Sequence, residues 1–306
     1  MIEFQRLLLG DTIRNDAFIR ALKQVIVPGK TTVSDIGSGT GYLSFMAEQM
    51  GAKECFLYEM SALLPISKEI ARKNGIKRCR YFGSHSTQMA NPAKTDVVVS
   101  ETLGNFALEE NIIETLNDAQ RFLKPGGVMI PESLTQFVAP VIASRLYDEL
   151  NVWDRLGTLD FSVTKEMCMN NMYVKEVFSK ELLGKGVEWD TVDFQKQNKS
   201  IREKTIEWKS DRNITLYGFA LWWESVLHKN IALTTSPDAP LTHWKQIYLP
   251  VIDPLQVKKG QTIRLSLHSD SRYEVKINVR WETEIMDASG KTVIKMKQDM
   301  RHGFIP

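Results

Sequence analysis

The chain has 306 residues, 43% hydrophobic and 25% charged, the balance of a globular protein with room for two packed units. Its formal net charge of +2 lacks the basic excess of a dedicated nucleic-acid binder, so neither DNA nor RNA is expected as a partner. No stretch approaches the roughly 18 apolar residues of a membrane span, and no signal-peptide pattern opens the sequence, so no membrane partner is expected.

Residues 11–27 carry apolar side chains at Ile13, Phe18, Ile19, Leu22, Val25 and Ile26, an amphipathic helix stopped by Pro28-Gly29. A short strand at 32–34 precedes a helix at 41–50, and strand 55–58 precedes helix 62–73. Strands follow at 80–82 and 96–99, then a helix at 111–123 that halts at Lys124-Pro125-Gly126-Gly127 before strand 128–130. Strands spaced by helices predict βαβ units, hence a parallel sheet with right-handed crossovers over residues 1–131. From 132 to 306 the pattern turns to strands: 133–143, 201–221, 244–251, 262–268, 273–286 and 292–299. In the clearest of them Val275, Ile277, Val279 and Trp281 alternate onto one face, which suits an antiparallel sandwich or barrel. A helix at about 144–156 interrupts these strands, and the segment 151–186 lacks strand alternation. Its Trp153, Leu156, Phe161, Met167, Met169 and Met172 form an apolar excursion that a barrel does not need, which predicts an interface. Cys55, Cys79 and Cys168 are odd in number and share no metal-ligand spacing, so they read as reduced thiols of a cytoplasmic protein, with no metal expected.

The segment "VSDIGSGTGYLS" places Gly37, Gly39 and Gly41 between a strand and a helix, where backbone can approach a ligand without Cβ obstruction. The spacing differs from the dinucleotide fingerprint, and no Lys-Ser/Thr follows as a phosphate loop requires. Asp35 just before the loop would repel a pyrophosphate but suits a cation, such as the ammonium and sulfonium of S-adenosylmethionine. Glu59 ends the next strand, where a carboxylate can accept from both ribose hydroxyls. This half resembles the class I S-adenosylmethionine-dependent methyltransferases, which implies that cofactor and a Rossmann-like fold.

The loop "SETLGNFALEE" follows the fourth strand and sets Glu101, Glu109 and Glu110 around a glycine with no Lys or Arg among them. Ligands of open α/β sheets bind outside the carboxyl ends of the strands, so this acidic loop is expected to face a cationic guest. A guanidinium fits, being planar, always charged and able to pair bidentately with carboxylates. The arrangement resembles the protein arginine methyltransferases, whose paired glutamates bracket a loop beginning Ser-Glu. Glu101 matches the first; Glu110 matches the second by spacing, with Glu109 the alternative. "TSPDAPLTHWKQIYLPV" is similar to the family's Thr-His-Trp segment, which implies His243 beside the glutamates and Trp244 walling the arginine channel. "DTIR" resembles its Asp-x-x-Arg signature, which implies Arg14 on the carboxylate of the cofactor's methionine. After strand three the family's acidic residue is absent from "GSHSTQM", leaving Ser86 or the backbone of His85 to substitute. No tyrosine precedes Asp11, where the family carries a helix with paired tyrosines over the cofactor.

The resemblance implies a Rossmann-like domain followed by an antiparallel β-barrel domain, with a dimerisation arm at about 151–186 that docks on a second copy. It implies transfer of a methyl from S-adenosylmethionine to an arginine of a protein or peptide. A small free guanidine or amine as acceptor, or a catalytically silent scaffold, are the other readings the residues leave open.

Overall fold

The computed structural model describes residues 2–153 and 156–303. It opens with two helices, α1 (Ile2–Gly10) and α2 (Thr12–Val25), separated by Asp11, whose side chain caps α2 by accepting from the Arg14 N–H at 2.9 Å. An alternating run follows: β1 (Thr32–Ile36), α3 (Tyr42–Gln49), β2 (Glu54–Tyr58), α4 (Leu63–Lys73), β3 (Cys79–Phe82), β4 (Thr95–Ser100), α5 (Ile112–Ala119) and β5 (Leu123–Ile130), with a single 3-10 turn in place of a helix between β3 and β4. The five strands are parallel in the order β3-β2-β1-β4-β5. Val97, Val98 and Val99 are all buried, as expected for a strand covered on both faces. The order reverses beside β1, and Asp35, Glu59 and Glu101 all stand at or just beyond the carboxyl ends of strands around that reversal.

A cis peptide joins Ile130 to Pro131, and the chain then builds two antiparallel sheets. The first contains β6 (Ser133–Val141), β7 (Tyr173–Lys175), β8 (Val187–Asp193), β10 (Ile214–His228), β11 (Ile231–Thr234) and β12 (Gln246–Val257), in the order β7-β12-β10-β6-β8 with β11 on β10. The second holds β9 (Ile201–Lys209), β13 (Thr262–Asp270), β14 (Asn278–Met286) and β15 (Thr292–Asp299), ordered β15-β14-β13-β9. Alternate residues of both, Ile263, Leu265 and Leu267 with Phe219, Leu221 and Leu249, turn inward to a single core, giving a flattened barrel.

Several elements differ from the sequence reading. The run 201–221 is two strands in different sheets, broken at 210–213, where Ser210 Oγ–H donates to the Arg212 carbonyl. Strands β8 and β11 were unforeseen, and β14 starts at Asn278 because 271–277 form a turn in which Lys276 has φ of +67°. Of the predicted helix at 144–156, Arg145–Leu150 form α6, and residues 154 and 155 lie outside the described residues. The apolar excursion is also shorter than expected. Helix α7 (Ser162–Met169) returns to the barrel: Met169 is buried, and Gln298 and the Asp299 N–H bond to Met169 and Asn170. Residues 173–175 are strand β7, and the exposed large apolar side chains of the segment are Val152, Leu156, Leu159, Phe161 and Val163 ahead of or early in α7, with Val174 and Phe178 beyond it. No helix among the described residues is long and apolar enough to cross a membrane.

Candidate active site

Where β1 ends, Gly37, Gly39 and Gly41 all have positive φ, and a Cβ on Gly37 would stand 2.9 Å from the Thr102 methyl. The loop is held from β2: the Gly39 N–H donates to Glu59 Oε2 at 2.8 Å and the Ser61 N–H to Oε1 at 2.7 Å. Asp35, 1% exposed, accepts from the Ser44 hydroxyl at 2.7 Å. Burial pushes its carboxyl up to about 7, against the Ser44 donors and with help from Glu59. Beyond β3, His85 caps a single turn at Ser86–Gln88. Asp35, Gly37, Gly39, Glu59, His85 and Ser86 line one cavity of about 440 Å³, within the range of small-molecule sites, whereas Gly41 lies off it against Phe45 and Ser67.

Glu101 and Glu110 line the same cavity. Glu101, just past β4, is not without a cation, which corrects the reading of this loop as lacking a basic partner. The Arg14 guanidinium donates to Glu101 Oε2 through both Nε, at 2.8 Å, and Nη2, with both side chains 7% exposed. Its remaining nitrogen donates to Asn15 Oδ1 at 2.7 Å. The resemblance assigns Arg14 to the cofactor's carboxylate; here its partner is a carboxylate of the chain itself. Glu110 and Asn111 both adopt left-handed backbone, at φ of 59° and 56°, which is costly for non-glycine residues. Glu110 has no cation partner among the described residues. Glu110 is exposed as a whole, yet desolvation by the surrounding walls, then the charges of Glu101 and Glu109, push its carboxyl above the usual range. Glu109 does not reach the cavity: its Oε2 accepts from the Phe106 N–H at 3.3 Å and its side chain packs over Gly104.

Across the cavity, His243 is tied to Asp11, whose Oδ2 accepts from the His243 N–H and lies 2.8 Å from Nδ1. Burial would raise Asp11, but the N–H donors of Arg14 and His243 and the imidazole itself outweigh it and hold the carboxyl low. Burial lowers the His243 pKa against the pull of Asp11 and Glu101, so the ring is neutral at neutral pH, with its Nδ1–H on Asp11 and Nε2 bare. Trp244 does not wall the cavity as the resemblance implied. It is 3% exposed, and its indole N–H donates to the Leu103 carbonyl at 2.7 Å. The Trp223 indole donates likewise to Gly104 at 3.1 Å, and the Lys245 N–H to Asn105 at 2.9 Å. The acidic loop is thus pinned from the β half.

Sequence reading missed α1. Its Phe4, Gln5, Leu8 and Leu9 line the cavity, and Phe4 meets His243 edge-on with ring centroids 6.2 Å apart. The signal was available, since Phe4, Leu7 and Leu8 stand at helical spacing directly ahead of the Asp11 cap.

Three polar atoms of residues in the cavity wall are buried without a hydrogen-bond partner: Ser38 Oγ, Ser86 Oγ and His243 Nε2. Such groups cost free energy unless a guest satisfies them. The site therefore suits an elongated polar ligand along the ends of β1, β2 and β3, and a cation at Glu110.

A profile described as the arginine methyltransferase oligomerization subdomain matches residues 133–285, and a methyltransferase domain profile matches residues 29–206. The chain is 26% identical to the histone-arginine methyltransferase CARMER of Drosophila persimilis over 315 residues, covering 95% of this chain and 59% of the relative. The same protein of Drosophila mojavensis is 27% identical, with 95% and 58% covered. The chain thus spans about six-tenths of the length of the curated relatives it matches. Among solved structures, the Trypanosoma brucei PRMT1 enzyme-prozyme heterotetrameric complex with AdoHcy superposes with a TM-score of 0.84 at 20% identity, covering 97% of this chain and 98% of that one. An open conformation of Arabidopsis thaliana protein arginine methyltransferase 10 gives 0.80 at 20% identity, with 98% of each chain covered.

Proposed function

The chain belongs to the arginine methyltransferase family, and on that premise we propose that it moves a methyl group onto a guanidinium nitrogen of an arginine in a protein or peptide. The observation that carries this is Glu110, a carboxylate lining the cavity beside Glu101 with no cation among the described residues to pair with it. S-adenosylmethionine, when bound, supplies the methyl as an electrophile on its sulfonium. Asp35, Glu59 and the backbone of the glycine loop would hold it, with His85 and Ser86 at its far end. The partnerless Ser38 and Ser86 hydroxyls support that fit. Arg14 would have to exchange Glu101 for the cofactor's carboxylate to serve there.

Glu110 takes up the charge of the incoming guanidinium, and Glu101, backed by Arg14, fixes another edge of the plane. Charge drawn toward two carboxylates leaves the third nitrogen the richer in electrons, and positioning supplies much of the rate. The methylated nitrogen must shed a proton, and His243 offers its bare Nε2 as acceptor while Asp11 holds the ring's tautomer.

Incubation with methyl-labelled S-adenosylmethionine and an arginine peptide, a lysine peptide or free arginine tests the reading. Label is expected on the arginine peptide, located by mass spectrometry. Label on free arginine alone would favour a small-molecule acceptor, and cofactor binding without transfer would favour a silent scaffold.

A two-fold dimer belongs to the proposal, supported by the match to an oligomerization subdomain. The exposed Leu159, Phe161 and Val163 of the arm, and the exposed Ile2, Leu7 and Leu9 of α1, are the surfaces that reciprocal docking would cover. Replacing Leu159, Phe161 and Val163 by serine is expected to give a monomer by light scattering with an unchanged melting midpoint. An unaltered dimer would rule out the arm as the contact. The free thiols Cys55, Cys79 and Cys168 support the cytoplasm as the compartment.

A further inference from the structure

The far end of the cavity is closed by the other half of the chain. Asp35 and the glycines end β1, Glu59 follows β2, and His85 and Ser86 follow β3, so the order β3-β2-β1-β4 leads away from Glu101 to His85. The turn 271–277 between β13 and β14 arrives at this point. The Tyr273 N–H donates to Glu114 Oε2 at 2.9 Å, while Ser200 Oγ–H donates to the other oxygen at 3.1 Å. The Tyr273 hydroxyl lies 3.0 Å from Thr115 Oγ1 and 3.3 Å from His85 Nε2, and the two rings meet edge-on at 5.8 Å. His85 and Thr115 line the cavity; Tyr273 stands behind them.

The hydrogen bonds have a direction. His85 Nδ1 accepts from the Thr87 N–H at 3.4 Å and lies 2.9 Å from the Thr87 hydroxyl, so Nε2 carries the proton and donates to Tyr273. The tyrosine O–H is then left for Thr115. Beside them Ser86 is 3% exposed and its Oγ has no partner. The side chains of His85, Ser86 and Thr115 thus offer uncharged donors and acceptors at this end, while the Arg121 guanidinium donates to the Ser86 and Met89 carbonyls and Glu114 accepts from the Tyr273 N–H and Ser200.

We propose that Tyr273 is a positioning residue for the aromatic base of the cofactor, locking His85 and Thr115 into the orientation that an adenine-type base requires alongside Ser86. This rests on reading the cavity as an S-adenosylmethionine site. Cofactor affinity then depends on both halves of the chain, through a residue that touches only the wall. Tyr273 is 40% exposed, so its hydroxyl carries little folding stability.

Calorimetric titration of the 306-residue chain with S-adenosylhomocysteine and with 5′-methylthioadenosine, which lacks the amino-acid end, provides the test. Tyr273→Phe keeps the ring and loses the hydroxyl. It is expected to bind both ligands about three- to tenfold more weakly, with KM for the arginine acceptor and the melting midpoint unchanged. Tyr273→Ala should lose more. Equal affinity of wild type and Tyr273→Phe for 5′-methylthioadenosine would overturn the proposal alone. A wild type that binds neither ligand would overturn the cofactor reading, and this proposal with it.

Discussion

Glu110→Gln is expected to lower kcat/KM for the arginine acceptor by about 100-fold or more, with S-adenosylhomocysteine affinity within a few-fold of wild type. Glu110 faces Glu101, Glu109 and, through Glu101, Arg14, and no cation among the described residues balances it. Ionising it is costly until a guanidinium arrives, and a glutamine cannot supply that charge. Because its carboxyl is raised, it stays protonated to higher pH than an ordinary glutamate, so wild-type kcat/KM should climb as pH rises through that ionisation. Glu110→Gln should lose this acidic limb. Glu101→Gln differs in kind: it strips a buried Arg14 of its partner, and should cost about 3–5 kcal/mol of stability besides turnover. Melting midpoints separate the two variants. A Glu110→Gln enzyme with a tenth of wild-type activity would exclude the carboxylate as the guanidinium's partner.

Asp35→Asn should make the protein more stable at pH 8 and a poorer cofactor binder. The folded-state carboxyl titrates near 7, above the ordinary aspartate value of 3.8, so folding favours the protonated form. Its contribution is greatest below pH 4, declines as pH rises from about 4 to 7, and is flat beyond. The full penalty is at most on the order of 4 kcal/mol. Ser44 and Arg14 face this carboxylate favourably and Glu59 unfavourably, and none of these neighbours offsets the desolvation. Asparagine accepts the same Ser44 hydroxyl without ionising, so it should flatten the slope in a series of melting curves between pH 4 and 8. The stabilisation of wild type by S-adenosylmethionine should be larger at pH 8 than at pH 6, and Asp35→Asn should abolish that difference. A slope unchanged in Asp35→Asn would place its origin elsewhere.

The parallel half was legible because its signals are local: glycines at a strand end, caps, and runs of valine. Asp35, Glu59 and Glu101 could be placed on one cavity because a strand end is a position that sequence can mark. Their partners were not, since the bond from Arg14 to Glu101 spans 87 positions and no periodicity encodes it. Helix α1 was missed because none of its residues is buried; it is held at its C-terminal end, where Asn15 donates to the Leu9 carbonyl at 3.0 Å, and by Phe4 against His243. The break at 210–213 was written in Ser-Asp-Arg-Asn, but strong β-formers on both sides masked it. At 273–277 an alternating pattern continues through a turn, because Tyr273 leaves the sheet to reach Glu114 in the other half.

The two indole N–H groups that Trp223 and Trp244 give to Gly104 and Leu103 have a consequence for how such a chain can diversify. The loop carrying the acidic residues belongs to one half by sequence and to the other by tethering. A β half grafted from another source would have to bring both tryptophans in register before the acceptor loop kept its shape. Recombination at the domain junction is therefore constrained by residues about 90 and 110 positions downstream of it, and the halves must change as a matched pair.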